Sequence, residues 1–124
     1  MDMVAYVLQG VLALMFVLAG FGKVVGMQMH VDNFNHWRLP QWFRIVTGLI
    51  EVIGAAALIV GYWEASWAAA GALLLGIVAI GGILTHLRAK DTFKQASAIL
   101  LLGILAFILF YLQYSELANF PGFN

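Results

Sequence analysis

Glu51 stands near the middle of the apolar run Arg44 to Gly61, "RIVTGLIEVIGAAALIVG", where a carboxylate has no business unless something holds it. Counted from Trp42 at 1.5 Å per residue, it lies about 13 Å deep, close to the centre of a hydrocarbon layer of about 30 Å. An acid facing lipid at that depth costs roughly 2.5 to 3.5 kcal/mol on insertion scales, so Glu51 is expected to point into a bundle. There it could relay a proton or orient a ligand. Arg44 stands seven residues earlier, about 20° from the same helix face with Thr47 between them, which makes one stripe of this helix polar. Arg44 and Glu51 are about 10.5 Å apart along the axis, so water, Thr47 or a ligand would have to join them. Gln9, in the first apolar segment, lies some 6 Å beyond Glu51 by the same counting, within reach of two extended side chains (roughly 19 Å from Gly22).

Lys23 ends the first apolar segment, and His86 closes the third inside "THLRAKD". Either could polarise a carbonyl beside the acid, as could Arg44. Each also has a plainer reading. Glu51 could simply pack against a backbone carbonyl or Gln9, Lys23 could snorkel to the headgroups, Arg44 could anchor on a lipid phosphate, and His86 could be a boundary residue. His30, Asp32 and His36 fit neither one helix face nor a metal-ligand spacing, so they read as loop polarity and no metal is assigned.

The elements that must position these groups follow from composition. Of 124 residues, 64% are hydrophobic and 10% charged, and the mean hydropathy is +0.97, which places the chain among integral membrane proteins. Four apolar segments are expected as spans, Met3 to Gly22, Trp42 to Gly61, Ser66 to Thr85 and Ala96 to Tyr114, with an interfacial loop over residues 23–41. Strands are excluded, because an open edge in lipid leaves its amides unpaired and the chain is too short for a closed barrel. The expectation is an all-α, integral membrane four-helix bundle forming a single membrane domain over residues 1–124. The net charge of zero gives no footprint for nucleic acid, and the absence of cysteine removes thiol redox chemistry and thiolate metal sites.

All six basic residues fall on one side: Lys23, Arg38 and Arg44 around the first loop, Arg88, Lys90 and Lys94 around the third. Asp2, Glu64 and Glu116 fall on the other, so the positive-inside rule puts both termini on the outer, periplasmic side. Trp37 and Trp42 mark the inner boundary, and Tyr62, Trp63, Trp67, Tyr111 and Tyr114 the outer one. Small residues supply helix contacts: Gly22 and Gly26, Ala72 and Gly76, and the run Gly54 to Ala57.

Three stretches, "LAGFGKVVG", "WRLPQWFRIVTGLIEVIGAAALIVGY" and "GGILTHLRAKD", together resemble the DoxX-like family of small four-helix bacterial membrane proteins. The matching positions are Lys23, Pro40, Glu51, and His86 with Arg88 and Asp91. The resemblance implies a multi-pass protein of the bacterial inner (plasma) membrane. It also implies an accessory or quinone-linked subunit of a redox assembly, since the founding relative is associated with thiosulfate oxidation coupled to quinone and other members with thiol and oxidative-stress systems. On that reading quinone is the cofactor, none is covalent, and Glu51, Arg44, Lys23, His86 and Gln9 form the ligand- or proton-binding set. Membrane lipid and a protein partner or second copy are the expected company. Without cysteine, any thiol chemistry passes through a partner. A non-catalytic binder of a small apolar ligand or lipid is the alternative. A proton-coupled exporter fits less well, because such exporters carry the acid in the first span and have short loops.

Overall fold

The computed structural model describes residues 3–121, which leaves Asp2 and the last three residues of the "NFPGFN" tail outside the described part. The chain forms α1 (Met3–Val25), α2 (Gln28–His36), α3 (Gln41–Val60), α4 (Ala65–Arg88) and α5 (Phe93–Gln113), followed by a 3-10 helix over Tyr114–Asn119. No strand occurs among the described residues. α1, α3, α4 and α5 are each long and apolar enough to cross a membrane. Their exposed Leu, Ile, Val and Phe side chains form the outer surface of the bundle, as a lipid-facing surface requires.

Four features differ by more than one residue from the sequence expectation, one being the end of α4 at Arg88 rather than Thr85. α1 continues past Gly22 to Val25, so Lys23 lies inside its last turn. The expected loop over residues 23–41 contains a helix of its own, α2. α5 begins at Phe93 rather than Ala96, because Thr92 and Gln95 form a reciprocal capping box: Gln95 N–H donates to Thr92 Oγ1 and Thr92 N–H to Gln95 Oε1. The signature "TFKQ" was present in the sequence to be read.

α1 packs on α3, α3 on α4, and α4 on α5. Two kinds of crossing set the shape. Toward the basic end, α1 and α3 approach backbone to backbone: a Cβ on Gly48 would stand 2.6 Å from the Gly20 carbonyl oxygen, and one on Gly20 2.7 Å from that of Gly48. Toward the opposite end, α3 leans on α4 instead, where a Cβ on Gly54 would meet Leu75 at 2.6 Å and one on Gly61 would meet Ala68 at 2.6 Å. Leu12, Phe16, Leu58, Leu75 and Leu109 are fully buried between these crossings. Nearer the basic end, Thr47, Ile50 and Glu51 of α3 and Val78, Gly81 and Thr85 of α4 line a common cavity.

The polar backbone groups freed at helix ends are met in specific ways. At the end of α3, Tyr62 N–H donates to Ile59 O, which leaves the Leu58 carbonyl to Gln9 Nε2 at 2.6 Å. The expected bridge from Gln9 to Glu51 is therefore not made: a helix-end carbonyl in an apolar core is the more demanding acceptor. Three helices stop at the basic end by the same device. Gly26, Arg38 and Lys90 take φ of +80°, +59° and +58°, and the next residue's N–H reaches back five residues, Met27 to Gly22 O, Leu39 to Phe34 O and Asp91 to His86 O. Only the first of these stops uses glycine.

Gly48→Ala is expected to force α1 from α3 and cost about 1–3 kcal/mol, since its added methyl meets backbone that cannot swing aside. Gly81→Ala is the control. Its added Cβ meets nothing within 4 Å, so unfolding in detergent followed by helical circular dichroism should show it as stable as the parent or more so.

Candidate functional site

The Gly20/Gly48 crossing places the last turn of α1 beside the middle of α3, and Lys23 Nζ reaches Glu51 Oε1 at 2.8 Å. Glu51 is 3% exposed, so the ion pair is a buried one. Half of such a pair would be costly in this setting, and each charge is held by the other.

Arg44 is turned away from Glu51. Its Nε donates to Gln41 Oε1 at 2.7 Å, and its Nη1 donates to the backbone oxygen of Lys23. A cation on the C-terminal carbonyls of α1 complements that helix's dipole. Arg44 thereby steadies the turn that carries Lys23. Thr47 does not bridge the two either, since its hydroxyl donates to Phe43 O at 2.8 Å. The polar stripe drawn on α3 is real in register, but its members have separate partners.

Beside the ion pair lies a cavity of about 270 Å³. Lys23 and Glu51 form its polar wall, Phe34, Trp37 and Leu39 its cover on the basic end, and the rest comes from the basic-end halves of α3, α4 and α5, Ile50, Val78 and Ile99 among them. Gln9 and His86 are not on its wall.

The cover is α2, fastened by Asp91. His36 Nε2 donates to Asp91 Oδ1 at 2.7 Å, while His86 Nδ1 and Trp37 Nε1 donate to Oδ2 at 2.7 and 3.0 Å. Arg88 adds a hydrogen bond to the Trp37 carbonyl. On the other flank, Gln41 Nε2 donates to Val31 O and to Asn35 Oδ1. Trp37, expected as a boundary aromatic, is thus turned inward, edge-on to Phe34 and to His86. His86 belongs to this fastening. Of His30, Asp32 and His36, each takes a different neighbour: His30 lies against Gly22, Asp32 accepts from Gln28, and His36 bonds Asp91. Burial, with Lys23 and then Arg44 nearby, pushes the His30 imidazole below its usual value.

Two things escaped sequence reasoning. The Lys23–Glu51 pairing depends on how α1 and α3 cross, and the Asp91 hub joins residues 55 positions apart. The second had a partial signal, because a histidine and an aspartate flank a helix stop in "THLRAKD".

A multi-pass membrane bundle, with one paired acid facing an internal cavity, is the class that this geometry defines. The chain belongs to the DoxX-like family, whose model matches residues 7–109 and so spans Lys23, Glu51, His86 and Asp91. It is similar to an uncharacterized protein, YdgD, of Bacillus subtilis (strain 168), with 30% identity over 95 residues that cover 76% of this chain and 83% of that one. No solved structure matches the chain.

The hydrogen bonds from His36, then Trp37 and His86, hold the Asp91 carboxyl at about 2, below its ordinary 3.8. A carboxyl depressed in the folded state adds stability above its ordinary value and loses it as pH falls through the folded one. Trp37 emission and amide exchange in α2 are therefore expected to hold steady down to 3.8 and to report release as pH approaches about 2. Asp91→Ala should produce that released state at neutral pH.

Proposed function

We propose that the cavity beside Lys23 and Glu51 binds the small polar head of a membrane-borne molecule, and that the protein is a quinone-linked accessory subunit of a redox assembly. The observation that carries this reading is the ion pair itself: a lysine–glutamate pair set on the wall of an otherwise apolar cavity. Replacing such a pair by packed apolar residues is often neutral or favourable for stability, so a packing role alone gives little reason for it. A cavity of mostly apolar lining with one or two convergent polar groups has the composition of a small-molecule site.

The chemistry available is limited and specific. The Lys23 ammonium can donate to a carbonyl oxygen of the ligand, and the Glu51 carboxylate can take a proton from a hydroxyl or return one. Interconversion of a quinone and its quinol moves two electrons and two protons. Glu51 with Lys23 would serve the protons. The electrons are assigned to a redox partner protein of the assembly. The family relationship and the charge bias support placement in the bacterial plasma membrane with α2 on the cytoplasmic side and both termini outside. Membrane lipid and a partner protein or second copy complete the assembly.

The cavity's size also bears on the readings set aside. At about 270 Å³ it falls below the roughly 300–1,000 Å³ of sites that enclose drug-sized molecules, which disfavours a multidrug exporter. A non-catalytic lipid-binding bundle would use the same cavity and differs in what occupies it.

Lys23→Met alone is expected to cost about 3–5 kcal/mol by leaving Glu51 uncompensated, whereas Lys23→Met with Glu51→Leu should recover most of that loss. The double variant thus keeps the fold and deletes the site. Mass spectrometry of protein purified in mild detergent is expected to find quinone on the parent and not on the double variant. Phospholipid in its place would favour the non-catalytic binder. Equal occupancy of parent and double variant, or none on the parent, would end the reading.

A further inference from the structure

We infer that the ligand's head reaches the cavity sideways from the bilayer, through a portal between α3 and α4 at Gly81. It follows that the ligand is an uncharged amphiphile whose apolar tail stays in that gap. This rests on reading the cavity as a ligand site, and it adds the route and the chemical class.

Three observations converge. The water side is closed, because α2 lies across the basic end with Phe34, Trp37 and Leu39 over the cavity. It is tied down by the three donors to Asp91, by Arg88 and by Gln41. The lipid side is open. α3 meets α1 closely at Gly48 and α4 closely at Gly54 and Gly61, and between α3 and α4 on the basic side the cavity itself intervenes, lined by Thr47 and Ile50 from one helix and Val78, Gly81 and Thr85 from the other. Gly81 lines the cavity, is exposed, and would have nothing within 4 Å of an added Cβ. A side chain there would occupy the gap, and glycine leaves it clear. The rims offer little to a polar solute, since Thr47 and Thr85 spend their hydroxyl protons on Phe43 O and Gly81 O of their own helices and present their methyl groups and stems instead.

The third observation concerns size and charge. A volume of about 270 Å³ suits a single-ring head and leaves no room for a chain, which must then lie outside, along α3 and α4. The ion pair has no net charge, so a charged head would gain one partner and be repelled by the other. An uncharged head that accepts from Lys23 Nζ and donates to Glu51 satisfies both.

The test uses 4-dodecylphenol, an uncharged head with one donor and acceptor oxygen on an apolar chain, with the protein in lipid nanodiscs and Trp37 quenching as the readout. Gly81→Leu is expected to slow association about tenfold and to raise Kd, because its side chain plugs the portal and takes the place of the bound tail. Thr47→Leu, which narrows the opposite rim, should slow association as well, and it keeps the test decisive if Gly81→Leu disturbs the fold. Asp91→Asn, which loosens the cover, should leave both rates unchanged. If Asp91→Asn accelerates binding and the Gly81 and Thr47 variants do not alter its rates, the ligand comes from the water side and the portal is refuted, while the cavity reading stands. If dodecylphenol fails to bind the parent, or binds the Lys23→Met/Glu51→Leu variant equally well, the cavity reading falls and takes the portal with it.

Discussion

A carboxylate in hydrocarbon has to be compensated, and the compensation has to be delivered from another helix. Glu51 is met by Lys23 at 2.8 Å, and that distance is possible only because α1 and α3 touch backbone to backbone at Gly20 and Gly48. Much of the basic half of the bundle follows from this contact. Arg44, excluded from the pair, is free to hold the turn from which Lys23 projects. α3 meets α4 closely at Gly54 and Gly61, and between the two helices on the basic side the cavity intervenes. The ion pair and the cavity thus lie side by side, with the polar groups on the cavity wall and not in the packed core.

The division of polar work among the remaining groups follows the same accounting. Gln9 is fully buried and, by depth along its helix, was within reach of Glu51. It serves instead the Leu58 carbonyl, which the end of α3 leaves without an N–H. Asp91 collects three donors from two segments and so turns a short helix of mostly polar residues into a cover. α2 buries only Phe34, too little apolar surface to fasten it by packing alone, so the hydrogen bonds set its place.

Much of the fold was legible in the sequence because hydropathy and charge are local quantities. Four spans and the gathering of the basic residues toward one end could both be counted along the chain. α2 was read as a loop because nine residues of mixed Gln, His, Asp and Asn carry little hydropathy signal, and its helical form depends on Gln41 and Asp91 elsewhere. Glu51 could not be given a direct partner from the sequence, for a related reason. Periodicity reports which residues share a face of one helix, whereas Lys23 approaches from a neighbour whose crossing angle is set by Gly20 and Gly48, positions that looked like ordinary small residues among many. The glycines singled out at Gly22 and Gly26 mark the end of α1 rather than its contact with α3.

The hydrogen bond from Gln9 to Leu58 has a mechanical consequence. With the Gly20/Gly48 contact toward one end of the bundle and this bond toward the other, α1 and α3 are clamped at two well-separated heights and behave as one rigid leaf. α4 and α5, joined through Gly76 with Phe107 and Gly103 with Ala79, make the second leaf. The leaves press together most tightly from Gly54 with Leu75, about one helical turn beyond the cavity walls at Glu51 and Val78, to Gly61 with Ala68 farther on. A rocking of one leaf on the other about that spine would displace the free edges most.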